Sequence, residues 1–227
     1  MILEDLSMKD KSELSGEGLS EVVINLANYF SDASQAPNTS LKQQCKLWCL
    51  TEGRHTYGKY SSCGDLLHSV ISLIGVRDTA LVNRDHLDFD GNKNSSWKVG
   101  LNISKLIEGS KTLGSKYNQQ IWVSGKEGLL PNPGDMCLIG ENGLEHVFII
   151  TDKDGDNLHS VDLGQVDLGG QCAKRRIRKL EKIGNDWWTI SIENGQPVTA
   201  GLGKRKLIGY ISTPSLWNAI TKQIKTI

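Results

Sequence analysis

From Pro131 onward the chain alternates apolar and polar positions with the two-residue period of β-strands, and Gly, Asn and Asp interrupt the pattern at short intervals. The spacing predicts strands over 135–139, 146–151, 157–163, 173–180, 187–192 and 206–211. Turn signals such as Gly140-Glu141-Asn142-Gly143 and Asp152-Lys153-Asp154-Gly155-Asp156 separate several of them. Before Pro131 the period is helical. Residues 20–30 form one amphipathic stretch with Ser20 as its N-cap, and 40–50 a second that Gly53 ends, with the loop 31–39 between them. A third helix starts at Cys63 and puts Cys63, Leu66, Leu67, Val70, Ile71 and Ile74 on one stripe before Gly75. The stretch 76–124 reads as long loops, with a short helix at the end of 97–106, and 214–220 predicts a closing helix. Helices first and an antiparallel sheet or half-barrel afterwards make an α+β domain. No repeat or low-complexity linker divides it. The expectation is one domain: a flexible leader at 1–18, accessory helices at 19–56 and a core at 57–227.

Composition narrows the function classes. The chain has 227 residues, 38% of them hydrophobic, which is enough for a packed core. Its 26 basic and 26 acidic side chains cancel, which argues against a general nucleic-acid binder. The first ten residues carry no basic segment followed by an apolar one, so the expectation is synthesis in the cytoplasm without a signal peptide. No stretch approaches the roughly 20 apolar residues of a membrane span.

Chemistry concentrates in two places. Cys63 opens the third helix within Tyr60-Ser61-Ser62-Cys63-Gly64-Asp65, where free backbone N–H groups and the helix dipole favour a thiolate. Pro133-Gly134-Asp135 enters one predicted strand and His146 opens the next. A thiol needs a base to become a nucleophile, imidazole can be that base near neutral pH, and a third group must hold the imidazole in one tautomer. His159 is the preferred third group and Asp162 the alternative. On a regular strand the two face opposite sides, so one of them fits. Taken alone, a cysteine on an apolar helix face is more often a buried small hydrophobe, and the strand segments raise Cys63 above that. Cys137 is a weaker rival because a strand-centre thiol lacks the helix terminus. Cys45 and Cys49, with Cys172, complete an odd set of five without zinc or disulfide spacing, and the pair reads as buried helical thiols rather than metal ligands with His55. His68 falls on another face of its helix, and Asp65 reads as a first-turn charge. The basic run Lys174-Arg175-Arg176-Ile177-Arg178-Lys179 reads as an edge strand protected against aggregation. Trp97, Trp122, Trp187 and Trp188 are core residues by default. The glycines of 164–171 lack the Lys-Ser/Thr pair of a phosphate loop.

The cysteine that opens a helix, the Pro-Gly-Asp entering a strand and the His-Val-aliphatic-aliphatic run resemble the NlpC/P60 group of papain-like cysteine peptidases. The resemblance covers roughly 57–163. It implies a papain-like fold in which N-terminal helices pack on the antiparallel sheet. Cys63 would be the nucleophile, His146 the general base and His159 the third polar position, with Tyr60 or Tyr57 on the oxyanion side. The family's Asp-Cys-Ser-Gly is Ser62-Cys63-Gly64-Asp65 here, so the aspartate before the nucleophile is absent.

The implied function is a cysteine amidase or endopeptidase that cleaves amide bonds in peptidoglycan stem peptides, without metal or organic cofactor. A monomeric toxin exported by a specialised secretion system or a phage would fit, with a secretion carrier or an immunity protein as partner and the target periplasm as its place of action. Two other classes stay open: a thiol acyltransferase or deamidase acting on a host protein, and a non-enzymatic binding or phage structural module.

Overall fold

The computed structural model describes residues 15–35, 63, 66–67, 70–71, 74, 103–140, 145–165, 172–198 and 203–224. The predicted helix with Cys45 and Cys49, the loop carrying His55, Tyr57 and Tyr60, Asp65, His68, Trp97, most of the proposed leader and most of the glycine-rich 164–171 lie outside the described residues.

Helix α1 (Gly16–Gln35) is longer than its predicted core. Its cap is Ser15, whose Oγ accepts the Gly18 N–H at 3.0 Å; Ser20 is already inside and donates to the Gly16 carbonyl. Leu19, Val23, Leu26, Ala27, Phe30 and Ala33 form its buried stripe. Cys63, Leu66, Leu67, Val70 and Ile71 are helical and join Ile74 in the same core, as their spacing predicts. Helix α2 (Ile103–Tyr117) ends where Asn118 takes a φ of 52° and the Gln119 N–H returns to the Gly114 carbonyl at 2.9 Å, satisfying a terminal acceptor. Helix α3 (Thr213–Ile224) is the predicted closing helix.

Eight antiparallel strands follow α2: β1 (Trp122–Ser124), β2 (Met136–Ile139), β3 (His146–Asp154), β4 (Asn157–Gln165), β5 (Cys172–Ile183), β6 (Asp186–Glu193), β7 (Gln196–Val198) and β8 (Lys204–Ile211). All six predicted strands are present. Their arrangement was not legible. Strand β8 bonds to β2 along one side, and along the other to β6 at Lys204–Lys206 and then to β1 at Gly209–Ile211. Strands β2, β3, β4, β5, β6 and β8 therefore close into a ring. Strand outweighs helix among the described residues, so the papain-like α+β expectation is corrected: the chain is built mainly on its antiparallel sheet, with helices added to it. The sequence-based expectation counted helices by their place in the chain, whereas ring closure depends on β8 pairing with strands far from it in sequence.

Ring closure buries the inward face, and helices cover the outward face at β2 and β3, so the core is divided in two. Cys137, Ile139, Phe148, Ile150, Leu158, Leu180, Leu207 and Tyr210 fill the interior. Met136, Leu138, Val147, Ile149 and Val161 face outward, under α1, α3 and the Cys63 segment. This accounts for the unbroken buried run His146-Val147-Phe148-Ile149-Ile150, in which Val147 and Ile149 enter the outer core and Phe148 and Ile150 the inner one.

Pro133-Gly134-Asp135 joins these layers. Asp135 Oδ1 accepts the Thr213 N–H that opens α3, its Oδ2 accepts the Asn132 N–H, and Thr213 Oγ1 donates to the Gly134 carbonyl at 2.7 Å. Burial raises the Asp135 carboxyl to about 6 against these two backbone bonds and the charge of Lys153. Gly134 has a φ of 91°, and a Cβ there would stand 2.6 Å from the Ser20 Cβ of α1.

Candidate active site

Strand alternation decides which polar groups meet. On β3, His146 shares the inward side with Phe148 and Ile150. Phe148 pairs with Asp162 in the β3–β4 register, so Asp162 lies on the same inward side, one step diagonally from His146. His146 Nε2 meets Asp162 Oδ2 at 2.8 Å. The Cys63 thiol, arriving from the outer core, is the other side-chain hydrogen-bond partner of His146. With Nε2 held by the carboxylate, Nδ1 is the ring nitrogen left for the thiol. His146 keeps 8% of its surface and Asp162 none, so the row opens to solvent at the histidine rather than at the carboxylate.

Asp162 is itself held from two further sides. Ser160 Oγ donates to its Oδ1 at 2.7 Å, and Arg178 Nη2 donates to its Oδ2. Arg178 also donates from Nη1 to Ser191 Oγ at 2.9 Å, and its guanidinium lies 4.8 Å from the centre of the Phe148 ring. Burial pushes the Asp162 carboxyl upward, but Arg178, His146 and Ser160 outweigh it and hold Asp162 well below the usual carboxylate range. Burial also pulls the His146 imidazole down, yet the bonds to Asp162 and Cys63 win and raise it above its ordinary 6.5. The arrangement stabilises an imidazolium beside the sulfur, which is the partner a thiolate needs.

The structure brings Cys63, His146 and Asp162 together and does not bring His159 to them. His159 sits on the opposite side of β4, across from Asp152 beyond a register shift, and lines a groove of about 780 Å³ with Asn28, Arg175 and Asn194. Of the two candidates for the third position, Asp162 is the one bonded to His146. Tyr57 and Tyr60 lie outside the described residues. Cys137 is fully buried in the ring interior, where burial first and then the Asp135 charge push its thiol well above the normal range.

The basic run also differs from its expectation. Strand β5 is flanked by β4 and β6, so it is not an edge. Alternation splits it: Arg178 faces inward with Leu180, while Arg175 faces outward and binds Asp32 at 2.6 Å and Asn28 at 3.2 Å on α1. Sequence reasoning missed Arg178, Ser160 and Ser191. The two-residue period within Lys174–Lys179 was the available signal. Trp122 packs on the outer core and Trp187 on the inner, while Trp188 lies under the Lys204 ammonium.

Among the described residues, no three His, Cys, Asp or Glu are grouped as a metal site would require, and no helix is long and apolar enough to cross a membrane. Comparison with models of known families, with curated proteins and with solved structures finds no match to this chain.

Proposed function

We propose that the protein is a cysteine amidase or endopeptidase and that its substrates are amides of peptidoglycan stem peptides. The observation that carries the hydrolase reading is the continuous row from the Cys63 thiol through His146 to the buried, Arg178-held Asp162. The resemblance of the Cys63, Pro133-Gly134-Asp135 and His146 segments to the NlpC/P60 group supports the choice of substrate.

In the first half-reaction His146 takes the thiol proton and the sulfur attacks the amide carbonyl, forming a C–S bond and an oxyanion. The Cys63 backbone N–H is the proposed donor to that oxyanion. Collapse breaks the C–N bond, and the imidazolium gives its proton to the departing amine. His146 next takes a proton from water, hydroxide adds to the thioester, and the C–S bond breaks to release the carboxylic acid and the thiol. Asp162 keeps its charge throughout and stabilises each imidazolium.

Incubation of wild-type protein and Cys63→Ala with purified peptidoglycan, followed by mass spectrometry of the soluble products, tests this reading. New stem-peptide fragments are expected with the wild type alone. Equal fragments from both proteins would contradict cysteine catalysis, and none from either would contradict the cell-wall substrate.

A further inference from the structure

Asp162 Oδ2 meets two donors at once. His146 Nε2 stands 2.8 Å from it, and Arg178 Nη2 donates to the same atom. Strands β3 and β5 flank β4 on opposite sides, so the carboxylate lies between the imidazole and the guanidinium. Its other oxygen accepts the Ser160 hydroxyl at 2.7 Å, from the same side of β4. Packing gives little reason for an arginine here. Of its N–H donors, Nη1 serves Ser191 Oγ, Nη2 serves Asp162, and Nε is buried with no hydrogen-bond partner among the described residues. A buried cation that leaves a donor unmatched is a poor source of stability, and apolar residues of similar volume often replace buried ion pairs without loss. What distinguishes Arg178 is its hold on the oxygen that His146 also uses.

We propose that Arg178 is a positioning residue that acts through Asp162: by sharing Oδ2 it limits how firmly the carboxylate holds the His146 imidazolium, and Ser160 adds to this from Oδ1. The inference rests on the thiol–histidine reading of the site and concerns its second proton transfer. There the proton leaves imidazolium Nδ1 for the amine nitrogen as the C–N bond breaks, and neutral imidazole remains. A bare buried carboxylate would hold the imidazolium so strongly that the ring became a poor acid, and a proton donor works best when it titrates near the operating pH. Each donor to a carboxylate leaves less of its charge for the next, and a guanidinium also repels a second cation directly. Both effects have one sign. Removing the Arg178 charge raises the pH at which His146 loses its proton. Neighbouring groups leave that sign unchanged. Cys137 on β2 stays a neutral thiol, since burial pushes it well above the normal range. Arg205 on β8, which feels the charges of Asp162, Arg178 and Arg176, remains a cation near neutral pH. Asp135, raised to about 6, titrates alike in wild type and in variants of the row.

The titration midpoint of the His146 ring, followed by NMR in the full chain, tests this directly. The signal is assigned by its loss in His146→Ala, and circular dichroism establishes which variants are folded. Arg178→Gln should raise the midpoint by about one pH unit and Ser160→Ala by about half a unit. Arg178→Lys keeps the charge and should restore the midpoint to within about 0.3 unit of the wild type. A role confined to packing would change stability and leave the midpoint in place. Where Arg178→Gln folds, a midpoint equal to the wild-type value or below it overturns the inference. Where it does not fold, the same result for Ser160→Ala overturns it. Cys63→Ala shows whether the underlying reading has failed instead. Loss of the thiol should lower the His146 midpoint, because Cys63 is one of the two partners that raise it. A midpoint that Cys63→Ala leaves unchanged contradicts the thiol–histidine pair and takes the inference with it.

Discussion

Asp162→Asn is expected to lower Cys63-dependent amide hydrolysis by about ten-thousand-fold, the scale seen when a triad carboxylate loses its charge. Two effects act together. The carboxylate at 2.8 Å fixes the proton of His146 on Nε2 and leaves Nδ1 free to take the thiol proton, whereas an amide can present its NH₂ to Nε2 and reverse the tautomer. It also supplies the negative charge that keeps His146 raised, so without it the imidazolium beside the sulfur is less stable. The measurement is kcat/KM for fragment release, with circular dichroism to establish that the variant is folded. His159→Ala is the matched control and should change kcat/KM by less than about twofold, since His159 lies across the strand from the row. A folded Asp162→Asn variant that keeps more than about a tenth of wild-type activity would contradict the assigned role.

Arg178→Met is expected to destabilise the fold by about 3–5 kcal/mol, because it removes one partner of a buried ion pair and leaves the other charge unmatched. The side chains of Arg178 and Asp162 are 5% and 0% exposed, so solvent cannot take over the missing contact. Methionine retains part of the packing on Phe148 and isolates the loss of charge. The double variant Arg178→Met/Asp162→Asn should cost less than the sum of the two singles, since no bare charge then remains. Urea denaturation of the four proteins measures both effects. A loss below about 1 kcal/mol for Arg178→Met would place the pair among contacts that water can replace.

The two-residue period and the turn residues sufficed to find the strands, since each strand is a local pattern bounded by Gly, Asn or Asp. The closed ring was not legible, because Lys204–Lys206 pairs with β6 while Leu207–Ile211 pairs with β2, and neither pairing leaves a local trace. The same physics explains what was visible of the site. Cys63 and His146 stood out because each opens an element. The choice between His159 and Asp162 turned on which side of β4 faces His146, and the unbroken apolar run of β3 conceals that, since both of its faces are buried. The basic run was mistaken for an edge because charge suggests exposure. In the ring, Arg178 is buried by Asp162, Ser191 and Phe148, partners that lie 16, 13 and 30 positions away in sequence. The Pro133-Gly134-Asp135 segment, noticed for its likeness to a family motif, has a local task of its own at the start of α3.

The most direct test of the account is the rate of Cys63 alkylation by iodoacetamide as a function of pH, in the wild type and in His146→Ala. Because the bonds to Asp162 and Cys63 raise the His146 pKa above its ordinary 6.5, its imidazolium persists to higher pH than that of a free histidine and should hold the thiolate beside it. Wild-type Cys63 is therefore expected to stay reactive down to about pH 6, while His146→Ala should shift the profile to that of an ordinary thiol near 8.5. A single profile centred near 8.5 in both proteins would contradict a thiol–histidine active site.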